Sequence, residues 1–161
     1  MKKFIVFFMA VMAMFVTTVK AQTSLLATLN HQGKISTFYG NKALQQAHAA
    51  AVDGDVINLS SGTFQAENIT KAITLRGAGM SLDATSQIEP TILVNSFNIE
   101  IPDETTQRLT IEGIYSDQTI VIHKLKNALF LKNRFWIIDV DNRSGYYATD
   151  LTFIHCKIAG R

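Results

Sequence analysis

Residues 51–79 read AVDGDVINLSSGTFQAENITKAITLRGAG. Two short apolar runs stand in it, Val56-Ile57-Asn58-Leu59 and Ile73-Thr74-Leu75, with Leu59 and Leu75 sixteen residues apart. Glycines and small polar residues fill the space between them, and no helical pattern does. A strand this short is not stable by itself, since an isolated pair of strands is already marginal in water. Stacked on further copies, its N–H and C=O groups pair with strands about 4.8 Å above and below, and its inward side chains join into one apolar column. The stretch therefore calls for repeats.

The rest of the chain supplies them. Ile57-Asn58-Leu59, Ile73-Thr74-Leu75, Ile92-Leu93-Val94, Leu109-Thr110-Ile111, Leu129-Phe130-Leu131 and Leu151-Thr152-Phe153 follow one another, and their marker residues at 59, 75, 93, 111, 131 and 153 are 16, 18, 18, 20 and 22 residues apart. Such quasi-regular recurrence marks a solenoid. In this alignment two residues of each triplet, two apart, face inward, so Leu129 and Leu131 are the inward pair of theirs. Runs rich in Ile, Val, Thr and Phe suit strands, and Gly and Asn suit corners that need positive φ. Extra strands are expected at 119–123 and 136–140. The reading is all-β, a parallel β-helix. A sandwich of hairpins fits less well, because two-residue turns of the Asn-Gly type are absent.

One helix precedes the repeats. Asn41 reads as the N-cap of an amphipathic run over 42–52, with Leu44, Ala47 and Ala51 on one side and Gly54 just past its end. It is expected to cap the first coil, as solenoids require. Before it, residues 24–29 and 34–39 read as a hairpin around His31-Gln32-Gly33.

The run from Ala47 through Gly54-Asp55-Val56-Ile57-Asn58-Leu59 and Gly62-Thr63-Phe64 to Arg76-Gly77-Ala78-Gly79 resembles the N-terminal coils of pectate-lyase-like right-handed parallel β-helix proteins, in the style of secreted Bacteroidetes members. The match is close over 41–79 and looser to Ile158. It implies a right-handed β-helix and makes the Arg76–Gly79 stretch a coil corner. For function it is weak, since one fold hosts many activities. Members that cleave polyuronates use Ca²⁺ and a basic proton acceptor. By that resemblance Arg143 or Arg134 would be the base here.

The first 21 residues have a basic start, a thirteen-residue apolar run from Phe4 to Val16, and Val19-Lys20-Ala21 at the cleavage position. They read as a secretory signal peptide, too short to span a bilayer. A hairpin at 22–40 and a helix-capped β-helix at 41–161, C-terminally incomplete, complete the division. Secretion to the periplasm or cell surface is expected, with no transmembrane span after cleavage.

Beyond residue 21 there are 12 basic and 13 acidic residues, which gives no support to nucleic-acid binding. The charge is unevenly placed: five basic against ten acidic over 22–121, seven against three over 122–161. Such asymmetry suits a polyanion-binding surface near the C-terminus. Cys156, the only cysteine, leaves no internal disulfide and is expected to point inward.

Lys124, Lys126, Lys132 and Arg134, joined by Trp136 and by Tyr146-Tyr147, are the candidate surface for an acidic polysaccharide. Asp139 and Asp141 share a strand face and, with Asn142, offer oxygen ligands for a weak Ca²⁺ site, needed only if the chain is a lyase. His123 and His155 lack a third placed ligand for a metal. The functional expectation is a secreted, non-catalytic module that binds or is displayed on envelope or extracellular polysaccharide. The alternative is a lyase or hydrolase acting on acidic glycans. The last apolar coil, 151–158, has no cap after it in this sequence, and end-to-end self-association is expected there.

Overall fold

The computed structural model describes residues 24–81, 89–141 and 143–160. The expected signal peptide lies outside them. Strands dominate: β1 (Leu26–His31), β2 (Lys34–Tyr39), β3 (Val56–Leu59), β4 (Gly62–Gln65), β5 (Thr74–Arg76), β6 (Thr91–Val94), β7 (Phe97–Glu100), β8 (Leu109–Glu112), β9 (Ile114–Leu131), β10 (Arg134–Val140), β11 (Tyr147–Ile154) and β12 (Lys157–Ile158). One helix, α1 (Ala43–Ala50), stands between β2 and β3.

The sheet is mixed. β1 pairs antiparallel with β2 and with β3, whereas every pairing beyond β3 is parallel. The hairpin over 22–40 is therefore hydrogen-bonded into the same sheet as the repeats. Its two-residue turn, Gln32-Gly33, has φ of 49° and 87°, the positive-φ pair that a tight hairpin requires.

Three parallel ladders follow from the register. In the first, Ile57 pairs with Leu75, Leu75 with Ile111, Ile111 with Phe130 and Phe130 with Phe153. In the second, Phe64 pairs with Leu93, Leu93 with Ser116, Ser116 with Phe135 and Phe135 with Ile158. In the third, Ile69 bridges to Ile99, Ile99 pairs with Ile122 and Ile122 with Val140. The inward residues of the ladders form one core that includes Ile57, Phe64, Leu75, Leu93, Ile111, Phe130 and Phe135.

This register corrects the triplet alignment in three places. Ile57, not Leu59, meets Leu75. Ile92-Leu93-Val94 belongs to the second ladder, so the first ladder steps straight from Leu75 to Ile111. Phe130, not Leu131, meets Ile111, and Ala128 and Phe130 are buried while Leu129 and Leu131 flank them. A one-residue slip exchanges the two faces of a strand, and the larger ring takes the interior. The strands expected at 119–123 and 129–131 are parts of one strand, β9, which pairs with β6, β7 and β8 in turn and so serves all three ladders.

Corners are made by left-handed residues. Gly113 (φ 67°), Asn95 (74°) and Asn127 (57°) are of the expected types, but Lys132 (52°), Asp150 (54°) and His155 (52°) hold the same conformation. At the Arg76–Gly79 corner, a Cβ on Gly77 would stand 2.5 Å from the Gly113 carbonyl oxygen, closer than a methyl group fits, so the backbones touch there. Gly77→Ala is expected to cost about 1–3 kcal/mol through forced separation of these segments, read from urea midpoints.

Helix α1 packs on β1 to β4 through Ala43, Leu44, Ala47 and His48. It is shorter than the expected 42–52. Lys42, not Asn41, occupies the N-cap position without a side-chain bond, and the Asn41 carbonyl accepts from the Gln65 amide instead. At the other end Lys71 Nζ donates to the His48 and Ala49 carbonyls, satisfying orphan acceptors with a cation.

His48 is 5% exposed, and its Nε2 accepts from the Thr70 amide. Burial, aided by the Lys71 charge, lowers its pKa from 6.5 to about 4. The unfolded chain therefore takes up a proton near pH 6.5 that the folded chain refuses until about pH 4. The corresponding stability is fully present above pH 6.5 and is lost as pH falls toward 4. The loss is expected to be roughly 2–3 kcal/mol, removed in His48→Gln, and thermal melts across that range check it.

At the last layer, Val140, Phe153, Ile154 and Ile158 are 40–49% exposed. Among the described residues no helix is long and apolar enough to cross a membrane.

Candidate binding surface

The expected basic set divides between two places. Arg134 opens β10 and pairs with Tyr115 on one side and Lys157 on the other. Its guanidinium lies 5.3 Å from the centroid of the Tyr115 ring, within cation–π range. Trp136, 43% exposed, is two residues on, where a register irregularity between Phe135 and Ile137 loosens the strand. Tyr115, Asp117, Arg134 and Trp136 line one small recess of about 70 Å³. Neither Arg134 nor Lys157 makes an ion pair among the described residues. The outward row of the second ladder thus presents two cations outside any ion pair beside two aromatic rings.

Lys124 and Lys126 lie elsewhere. Lys124 pairs with Glu100 and with Tyr147, and Lys126 pairs with Thr149. Acidic groups crowd this region. Asp103 accepts a hydrogen bond from the Tyr147 hydroxyl, which raises the phenol's pKa. A cavity of about 410 Å³ there is lined by Glu100, Asp103, Glu104 and Lys124. Lys132 sits at a left-handed corner, its amide donating to the Ile154 carbonyl. Lys124 thus lines a different cavity from Arg134 and Trp136. Tyr146 and Tyr147 accompany Lys124 rather than Trp136.

The carboxylate pair has a different occupation from the expected one. Asp139 is exposed beside Val140, which continues the inward column. Asp141 receives Arg143 through both oxygens, with Nε at 3.0 and 2.9 Å and a terminal nitrogen at 2.5 Å. These bonds hold the carboxyl below its usual pKa and push the guanidinium above its own. Asn142 lies outside the described residues. A cation at Asp141 would have to displace Arg143, and no group of three metal-capable side chains occurs among the described residues. Calorimetry is expected to show no Ca²⁺ binding tighter than about 10⁻⁴ M, unchanged in Asp139→Ala.

Between the two regions of charge stands a short row. His123 has Glu100 3.5 Å from Nδ1 and Asp141 3.7 Å from Nε2, and its ring stacks on Tyr146 at 4.7 Å. Arg143 lies over the other partner of that stack, 5.1 Å from the Tyr146 centroid. His155 is at a corner of the first ladder, apart from His123. Cys156 is half-buried against the core, its thiol donating to the Phe130 carbonyl at 3.2 Å.

Sequence reasoning passed over Tyr115 and Lys157, whose approach to Arg134 comes only through register. It also passed over His31 and Asp55, 2.8 Å apart. Compared with family models, curated proteins and solved structures, the chain gives no match.

Proposed function

We propose that the three ladders wind as a right-handed parallel β-helix of the pectate-lyase-like kind, secreted to the periplasm or cell surface, and that the chain is a non-catalytic module binding acidic polysaccharide. The observation that carries this reading is the outward row of Tyr115, Arg134 and Lys157 beside exposed Trp136, with neither cation in an ion pair among the described residues. Aromatic faces suit the C–H faces of sugar rings, and free cations suit uronate or sulfate groups.

The lyase alternative loses support at Arg143. A guanidinium held by two Asp141 oxygens, with its pKa pushed up, is a poor proton acceptor.

Polygalacturonate titrated by calorimetry is the test. Binding is expected at low salt and to weaken steeply toward 0.15 M, where exposed charges are screened over about 8 Å. No rise in absorbance from unsaturated product is expected, with or without Ca²⁺. Steady product formation would overturn the non-catalytic reading. Binding indifferent to salt, or absent, would overturn the acidic-ligand reading.

A further inference from the structure

At the opposite end of the stack, where the hairpin turn meets the first layer, a cavity of about 450 Å³ opens to solvent. Its walls include Asn30, His31, Gln32, Asp53, Asp55 and Gln107, and no lysine or arginine lines it. We propose that this cavity is a second saccharide site, selective for a neutral, hydroxyl-rich sugar unit rather than an acidic one.

The argument starts from Asp55, which is 5% exposed. One of its oxygens accepts from the Val52 amide and the other faces His31 Nδ1 at 2.8 Å. A carboxylate offers only lone pairs, so Nδ1 carries a proton toward Asp55 and Nε2 is left as the ring's second polar atom. His31 is 45% exposed on that cavity, and its Nε2 has no partner among the described residues. A buried carboxylate thus fixes the orientation of an imidazole in a cavity wall.

The remaining walls select the ligand. Both Asp53 oxygens are engaged, one by the Ala72 amide and one by the Thr105 hydroxyl. Both Asp55 oxygens are engaged as above, so each carboxylate is already held by protein donors. Without a basic lining, an anionic ligand would meet two carboxylates uncompensated. The groups left free are the Asn30 side-chain amide nitrogen, whose oxygen accepts from the Gly33 amide, the amides of Gln32 and Gln107, and His31 Nε2. Planar amides with one imidazole nitrogen match sugar hydroxyls, each of which donates and accepts at once. Val52, 50% exposed, adds an apolar patch against a ring face. The volume admits a monosaccharide unit and is small beside a drug-sized site of about 300–1,000 Å³ only at its upper end.

The test is a chemical-shift titration of the full chain with a panel of neutral methyl hexosides, read at backbone amides of residues 30–33 and 52–56 and at the His31 ring nitrogens. At least one hexoside is expected to bind in the millimolar range. Affinity should fall at least fivefold in His31→Ala and in Gln107→Ala, and stay within twofold in Arg134→Ala. The Gln107 variant removes an exposed side chain and keeps the test valid if His31→Ala perturbs folding. No saturable shift with any hexoside, equal affinity in Gln107→Ala, or loss of binding in Arg134→Ala would overturn the proposal. The last variant separates this site from the acidic-glycan surface, on which the proposal does not rest.

Discussion

Phe130→Ala is expected to lower the stability of the fold by about 3–5 kcal/mol. Phe130 is 1% exposed and stands where the first and second ladders meet. Its ring lies edge-on to Phe135 at 6.0 Å and face to face with Phe153 at 4.7 Å. It also continues the column from Ile111. Removing it leaves a void enclosed by hydrogen-bonded strands on both sides, which collapse little. Phe153 sets the comparison: it stacks on the same ring but is 40% exposed, so Phe153→Ala should cost about 1–2 kcal/mol, since half-burial halves the transfer term. Urea midpoints of the two variants check this, and equal losses would contradict the assigned register.

Asn133→Leu is expected to cost about 2–5 kcal/mol although it puts a larger apolar side chain into an apolar core. Asn133 is fully buried. Its amide nitrogen donates to the Ile111 carbonyl at 2.7 Å, and its oxygen accepts from the Ile114 amide at 2.9 Å. These main-chain groups flank the bend between β8 and β9, where Gly113 is left-handed. Leucine would orphan both, at about 1–3 kcal/mol each. Asn133→Asp keeps the acceptor and loses the donor, and should fall between. Melting temperatures, with hydrogen exchange at the Ile114 amide, measure the effect. Exchange at Ile114 unchanged in Asn133→Leu would contradict the bridging role.

The short strands, the hairpin and the helix were legible because each carries a local signal: alternation, a Gly-containing turn, an Ala-rich run closed by Gly54. The phase of the repeats was not. Leu129, Phe130 and Leu131 are all apolar, so alternation cannot say which faces inward, and only the fit of Phe130 between Ile111 and Phe153 decides it. The insertion between Leu75 and Ile111 hid behind Ile92-Leu93-Val94, a triplet as regular as the others that serves a different ladder. Lys132 is left-handed with no residue type to announce it.

The binding surface was half legible for the same reason. Arg134 and Trp136 stand together in sequence and remain together in space, but Tyr115 and Lys157 join them only through register. Lys124 is near in sequence, yet its segment belongs to another ladder, among Glu100 and Asp103. His31 and Asp55 are 24 residues apart and meet because β1 runs antiparallel to β3.

The central functional claim is that acidic glycan binds the outward row of the second ladder. Calorimetry with polygalacturonate at low salt tests it most directly, on Arg134→Ala and Trp136→Ala against Lys124→Ala and Lys126→Ala. The first two are expected to lose about tenfold or more in affinity, about 1.4 kcal/mol each. The second two should stay within about twofold, since the carboxylates around Lys124 already oppose an anion there. Loss of binding in the lysine variants with Arg134→Ala unaffected would contradict the account.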